Sequence, residues 1–475
     1  MQTTEDLIRS VVQQVLSQMG GPLSTNGAPH SPRPSGRDGV YATADDAVGA
    51  AEAAFNEFRR RPLADRKQAV EAIKSICVEQ AEELGRLELE ETKIGRLDHK
   101  IAKLNVAIPL VPGVEYLRTE NDAGDNGLTL NDYAPFGVIG AITPVTHSLP
   151  TLAGNAINML AAGNTVVFNA HPSGARIAAE GVRRFNRAIR EAIGLDDLLT
   201  IIETPTLESA AALFDHRGVR LLVVTGGPAV ARAALASKRR AIVAGPGNPP
   251  VVVDGTACPD RAAKAIVEGA AFDNNLLCIG EKQVFATADV FDRLLDSMAR
   301  SGGHRLQPQQ VEALTKAAFV KGDDGKLHVN KDLVGQGPDV LARHAGTTVP
   351  AGTQVLFGET GAEHPFVDHE QMMPFLPFVR VAGVDRAIEL ARESEHGFGH
   401  TAVLHSRDTG VMSRMGKAMD CTVFVVNGPS TAGLGLGGEG VLSFSIAGPT
   451  GEGVTTPLTF CRRRRTAIVG GLRFV

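Results

Sequence analysis

The stretch from Pro135 to Asn169, PFGVIGAITPVTHSLPTLAGNAINMLAAGNTVVFN, restricts the fold more than any other part of the chain. It reads as strand, loop, helix and strand. Two strands joined through a helix run parallel, and a parallel sheet needs helices to cover its faces. A second unit repeats the pattern: the apolar run RLLVVT meets Gly226 and Gly227, and Pro228 opens the helix AVARAALAS. Proline at the first helical position after a glycine turn leaves free N–H groups at a positive helix end, where a phosphate fits, although an ordinary tight turn reads the same way. The expected fold class is therefore α/β. With 52 glycines, no tryptophan and 475 residues, the chain is long enough for several cores joined by tight turns.

Residues 1–20 place Leu7, Ile8, Val11, Val12, Val15, Leu16 and Met19 on adjacent ridges of one amphipathic helix. Gly20 and Gly21 stop it, and residues 21–39, rich in Pro, Gly and Ser, read as a flexible linker. A tethered apolar stripe either docks on its own body or enters a partner's groove. The body follows, with helical patterns to about residue 110 that bury Cys77. Residues 114–134 look like a hairpin that leaves the body and returns.

A net charge of −5 gives no general attraction for nucleic acid or anionic lipid, and no run of 18 apolar residues spans a membrane. The basic run Arg462–Arg465 reads as a strand with charged edges or an interface. Five cysteines with no CxxC pair argue against a disulfide framework and suit a reducing cytoplasm. The histidines at 364, 369, 396, 400 and 405 form no HExxH, so no metal is expected. The literal GxGxxG at Gly435–Gly440 precedes no helical pattern and reads as a loop.

One cysteine stands apart. In FDNNLLCIGEKQVF, Cys278 sits in a glycine-bordered loop where a helical pattern yields to a strand pattern. Cys258, before a proline-started helix, is a weaker candidate, and Cys421 and Cys461 read as packing.

Together, PFGVIGAITPVTH, AAGNTVVFNAHPSGA, VVTGGPAVA, AGPGNPPVVVD, FDNNLLCIGEK, EHGFGHTAVLHS and GPSTAGLGLGGEG resemble the aldehyde dehydrogenase superfamily. More narrowly, they are similar to its CoA-acylating branch of microcompartment propionaldehyde and acetaldehyde dehydrogenases, from about residue 40 to 475. The resemblance implies a Rossmann-like cofactor domain (40–113 and 135–245), an α/β catalytic domain (246–445) and oligomerisation elements (114–134 and 446–475) that build a homodimer or homotetramer. It implies Cys278 as nucleophile, forming a thioester after hydride leaves for NAD, with NADP as the other option, and coenzyme A as the acyl acceptor. Thr146 matches the oxyanion-binding asparagine of hydrolytic relatives, beside the backbone N–H of Cys278. Thr143, Pro144, Asn169, Thr225, Gly226 and Gly227 fall on cofactor-binding positions, and Glu370 on the acidic contact to the nicotinamide ribose. His147 and His400 are either site or packing residues. The first twenty residues resemble the encapsulation peptides that direct such enzymes to shell proteins, placing the chain in the cytoplasm inside a bacterial microcompartment.

One departure decides the second half-reaction. Hydrolytic relatives carry a general-base glutamate where this chain has Ala244 in IVAGPGNPP. Water, with a pKa of about 15.7, needs such a base, whereas a thiol near about 8.5 is already partly ionised. Coenzyme A therefore replaces water, in a nearly balanced and reversible exchange. On the residues alone, a hydrolytic enzyme using another base and a non-catalytic shell-binding scaffold remain open.

Overall fold

The computed structural model describes residues 38–322 and 325–472, so the helix read over residues 1–20 and nearly all of the linker lie outside the described residues. Its first sheet has six parallel strands in the order Val40–Tyr41, Leu199–Ile202, Thr165–Ala170, Val138–Thr143, Val219–Thr225, Ala241–Ala244. The central strands Val138–Thr143 and Thr165–Ala170 are buried at every position, as apolar runs covered on both faces must be. From Val138–Thr143 the chain steps outward to one side through two strands, then returns to build the other side. Helices that leave neighbouring strands towards opposite faces open a crevice at the strands' C-terminal ends.

The crossover helix Ser148–Ala161 is buried along its whole length, and its return passes through Gly163, whose φ of 84° the missing Cβ permits. Helix Pro228–Ala236 begins at its proline with Gly227 as N-cap, as the sequence indicates. The short strand Val40–Tyr41 precedes the first helix, where the helical pattern gives no warning of it, because a two-residue edge strand has no period to detect.

The second sheet has seven parallel strands in the order Gly303–Arg305, Val355–Glu359, Phe375–Val381, Gln283–Thr287, Pro250–Val253, Thr401–His405, Val423–Val426. Its helices Pro259–Ala271 and Ala288–Arg300 bury their apolar stripes against it. The hairpin Glu120–Gly124 and Gly127–Pro135 pairs antiparallel with the C-terminal strand Cys461–Val469 in a small third sheet. Arg464 holds Asp132 directly across that pairing at 2.6 Å, and all four arginines of the basic run are exposed. Residues 443–456 lie instead against the first sheet: Thr450 Oγ1 accepts from the Val243 N–H, and the Ser445 and Thr225 hydroxyls are 2.6 Å apart. Cys77 is buried, and Gly435–Gly440 forms a loop with no helix after it. Among the described residues, no helix is long and apolar enough to cross a membrane.

Candidate active site

Helix Pro259–Ala271 ends at Phe272, and the next three residues take left-handed backbone angles: Asp273, Asn274 and Asn275 have φ of 50°, 55° and 65°. Asp and Asn accept this conformation better than other side chains, but three in succession cost energy and persist only when other bonds fix them. Those bonds are present. Asp273 Oδ1 accepts from the Arg96 N–H at 2.7 Å, and the Asp273 N–H donates to His99 Nδ1. Asn274 donates to the Gly335 carbonyl, and Asn275 to the carbonyls of Ala270 and Glu281. Lys282, fully buried, spends its ammonium protons on Asn275 O at 2.8 Å, Asn275 Oδ1 and Leu277 O at 3.0 Å.

This turn delivers Cys278, half-buried, to an almost wholly apolar cavity of about 30 Å³ lined by Leu277, Leu436, Leu442 and Phe444, with Lys103 and His147 as its charged or titratable members. That volume admits roughly two or three water-sized groups, which suits a short alkyl chain. Burial pushes the Cys278 thiol up to about 12, and Glu370 adds to the rise. Lys282 and the backbone N–H groups of Cys278 and Ile279 oppose it. Burial also raises Cys421 to about 11 and Cys461 to about 12, so acidity does not single out Cys278. The cavity and the surrounding ionisable groups do.

Glu370 is half-buried, and burial raises its carboxyl to about 7 against the pull of Lys282 and a hydrogen bond from the Gly247 backbone. Gly247 is also the joint to the next group. A Cβ there would lie 2.7 Å from the Cys278 carbonyl oxygen and 2.9 Å from His400 Cγ, so the glycine packs between the Cys278 loop and the imidazole. His400 is buried, its Nδ1 lies 2.8 Å from Thr401 Oγ1, and its Nε2 has no hydrogen-bond partner. Burial, with a smaller push from Lys282, holds it down to about 4, so the imidazole is neutral at working pH. Its Cγ and Nδ1 face Gly247 across from the Cys278 carbonyl, while its Nε2 is left unpartnered.

The cofactor positions gather at the crevice of the first sheet. Thr143 and Thr225 end two of its neighbouring strands, Asn169 is the next-to-last residue of a third, Pro144 follows the first, and Gly226 and Gly227 lead into the helix. The buried Thr143 Oγ1 has no partner, and nothing stands within 4 Å of a Cβ placed on Gly227, so the crevice offers an unsatisfied hydroxyl and open space before a helix N-terminus. This fits a dinucleotide laid over the strand ends. Asn169 Oδ1 accepts from Ser209 Oγ, and Thr225 is engaged with Ser445. Ala244 ends the edge strand beside Thr225 and is buried. Thr146 is half-buried on the Pro144–His147 loop; His147, its neighbour, lines the cavity and Thr146 does not.

Several site residues carried no role in the sequence reading. Glu88, Lys100, Lys103 and Asp273 form a buried charged group that reaches His147. Their only sequence signal is the Asx run before Cys278, since lysines on an amphipathic helix read as solvated. Lys282 and Glu281 sit within FDNNLLCIGEK and are both fully buried, Glu281 accepting from the Ser430 N–H and hydroxyl.

Residues 35–317 match the aldehyde dehydrogenase family. The acetylating acetaldehyde dehydrogenase of Salmonella typhimurium is 44% identical over 439 residues, covering 92% of this chain and 94% of that one. Among solved structures, the propionaldehyde dehydrogenase of Rhodopseudomonas palustris with bound propionyl-CoA superposes with a TM-score of 0.90 at 41% identity, covering 96% of this chain and all 100% of that one. The propionaldehyde dehydrogenase from the Clostridium phytofermentans fucose utilisation bacterial microcompartment gives 0.89 at 38% identity, covering 92% and 100%.

Proposed function

The chain belongs to the aldehyde dehydrogenase family, and from that premise we propose how its residues divide the reaction. It is a CoA-acylating aldehyde dehydrogenase that oxidises a short-chain aldehyde with NAD(P) and transfers the acyl group to coenzyme A through a cysteine thioester. The small cavity beside Cys278 favours aldehydes of propionaldehyde's size.

Cys278 Sγ attacks the aldehyde carbon. With its thiol at about 12, the sulfur is almost wholly protonated at neutral pH, so a base takes the proton as the bond forms. Glu370, raised to about 7, fills that role as well as the expected ribose contact. The developing oxyanion is received by the N–H groups of Cys278 and Ile279, with Thr146 as the further donor expected from its position. The bound nicotinamide supplies the hydride acceptor, and loss of hydride leaves a thioester on Cys278. The CoA thiol then gives its proton to His400 Nε2, its sulfur attacks the thioester carbonyl, and Cys278 leaves as a thiolate that recovers the proton from Glu370. The proton on His400 passes to water.

The observation that favours acyl transfer to a thiol over hydrolysis is the vacant Nε2 of His400 across Gly247 from Cys278, together with the methyl group of Ala244 in place of a water-activating carboxylate. NADH formation from propionaldehyde and NAD, followed with and without CoA, tests this. Sustained turnover requires CoA; equal turnover without it would overturn the acylating scheme.

The small antiparallel sheet has its basic strand exposed on both faces, which suits pairing with a second copy of the chain in a homodimer or homotetramer, to be read from sedimentation. Residues 1–20 are proposed to bind a microcompartment shell protein. Their removal then abolishes co-purification with shells and leaves turnover in solution unchanged, and retained co-purification would reject the role.

A further inference from the structure

The cavity beside Cys278 touches a group of buried charges that the reaction scheme leaves unused. Glu88, Lys100, Lys103, His147 and Asp273 are each 5% exposed or less. Lys103 Nζ donates to Asp273 Oδ2 and lies 2.7 Å from His147 Nδ1. Lys100 Nζ stands 4.0 Å from both Glu88 Oε1 and Asp273 Oδ2. A lysine ammonium has protons and no lone pair, so His147 Nδ1 is the acceptor of that contact, and the imidazole's own proton sits on Nε2. A protonated His147 would set two cations within hydrogen-bond distance in a buried site. Helix Ser148–Ala161 also begins directly after it and turns its positive end the same way. Burial, then Lys103, Lys100 and Lys282, hold His147 well below the ordinary histidine range, which agrees with the geometry.

Both arms of Lys103 reach the nucleophile's loop. Asp273 opens the left-handed turn, and the Leu276 backbone, two residues before Cys278, is the other hydrogen-bond partner of His147. Lys103 and His147 line the same cavity as Cys278. Lys103 itself begins the π-helical segment Lys103–Ala107, a rare distortion that is frequent at functional sites.

We propose that Lys103 is a positioning residue for Cys278: bridging Asp273 to His147 Nδ1, it fixes His147 as the neutral Nε2–H tautomer and pins the turn that presents the nucleophile. The inference rests on Cys278 being that nucleophile. Lys103 touches no reacting atom; it acts through the two residues it joins.

The test compares Lys103→Met and Lys103→Gln with the parent enzyme. Lys103→Met loses about tenfold or more in kcat, with the KM for CoA within about twofold. It also removes one of the cations that hold His147 down, so the pKa of His147 rises from its parental value, while burial, Lys100 and Lys282 still keep it low. Lys103→Gln still donates to Nδ1 and loses less. A Lys103→Met enzyme with parental kcat overturns the proposal. Nitrogen-15 NMR of the histidine-labelled parent, with the signal of His147 identified by its loss in His147→Gln, does not depend on the folding of any Lys103 variant. An Nε2–H signal that does not titrate between about pH 5 and 8 supports the proposal, and a titrating or Nδ1–H His147 overturns it. Cys278→Ala assayed in parallel separates the two claims: retained turnover there refutes the nucleophile, while the NMR result still judges Lys103.

Discussion

Gly247→Ala perturbs the contact on which the scheme depends. The added methyl would stand 2.7 Å from the Cys278 carbonyl oxygen, 2.9 Å from His400 Cγ and 3.1 Å from His400 Nδ1. The first neighbour is backbone and the second a buried ring, so neither swings aside as the tip of a flexible side chain would. Relief requires the nucleophile loop and His400 to separate by several tenths of an ångström. The loop resists, since Lys282 and the Asx side chains hold it at many points. Misplacement by about 1 Å costs on the order of a hundredfold in rate, so a shift of roughly half that size costs about tenfold, or about 1.4 kcal/mol of barrier. Overpacking adds about 1–3 kcal/mol of lost stability. Gly245→Ala is the matched control, because its Cβ meets only Pro449, at 3.1 and 3.8 Å. Steady-state NADH formation and thermal unfolding of both variants measure the difference. If Gly247→Ala equals Gly245→Ala in kcat, the contact between nucleophile loop and imidazole is not what the scheme takes it to be.

Two further predictions concern ionisable groups. His400→Ala forms acyl-enzyme at near-parental rate but discharges it to CoA about 10²–10⁴-fold more slowly, in single-turnover experiments; equal slowing of both steps would remove His400 from the CoA step. Burial raises Glu281 from 4.5 to about 7, so the folded state binds the extra proton and stability falls as pH rises through that window, then levels off. Glu281→Gln keeps an acceptor for Ser430 and flattens this fall in thermal midpoint between about pH 5 and 8; an unchanged slope would show that Glu281 does not titrate there.

The alternation of strands and helices was legible because buried parallel strands announce themselves as continuous apolar runs, and Gly226-Gly227-Pro228 marks its own turn. Cys278 stands out in the sequence by its glycine-bordered loop and the motifs around it, and the structure sets it against an apolar cavity. The group around Lys103 was not, since its partner Asp273 lies 170 residues away and a helical lysine has no mark that tells burial from solvent. The same limit hid Gly247, whose importance lies in what a methyl group would strike. His400 read equally well as packing or as a site residue, and nothing in the sequence signals that its ring faces Gly247 across from the Cys278 loop.

The most direct measurement is the mass of the intact enzyme after incubation with propionaldehyde and NAD in the absence of CoA, followed by peptide mapping. The account predicts one added propionyl group, on Cys278, that disappears when CoA is supplied and appears as propionyl-CoA. An acyl group on any other cysteine, or one that water removes as fast as CoA does, would contradict it.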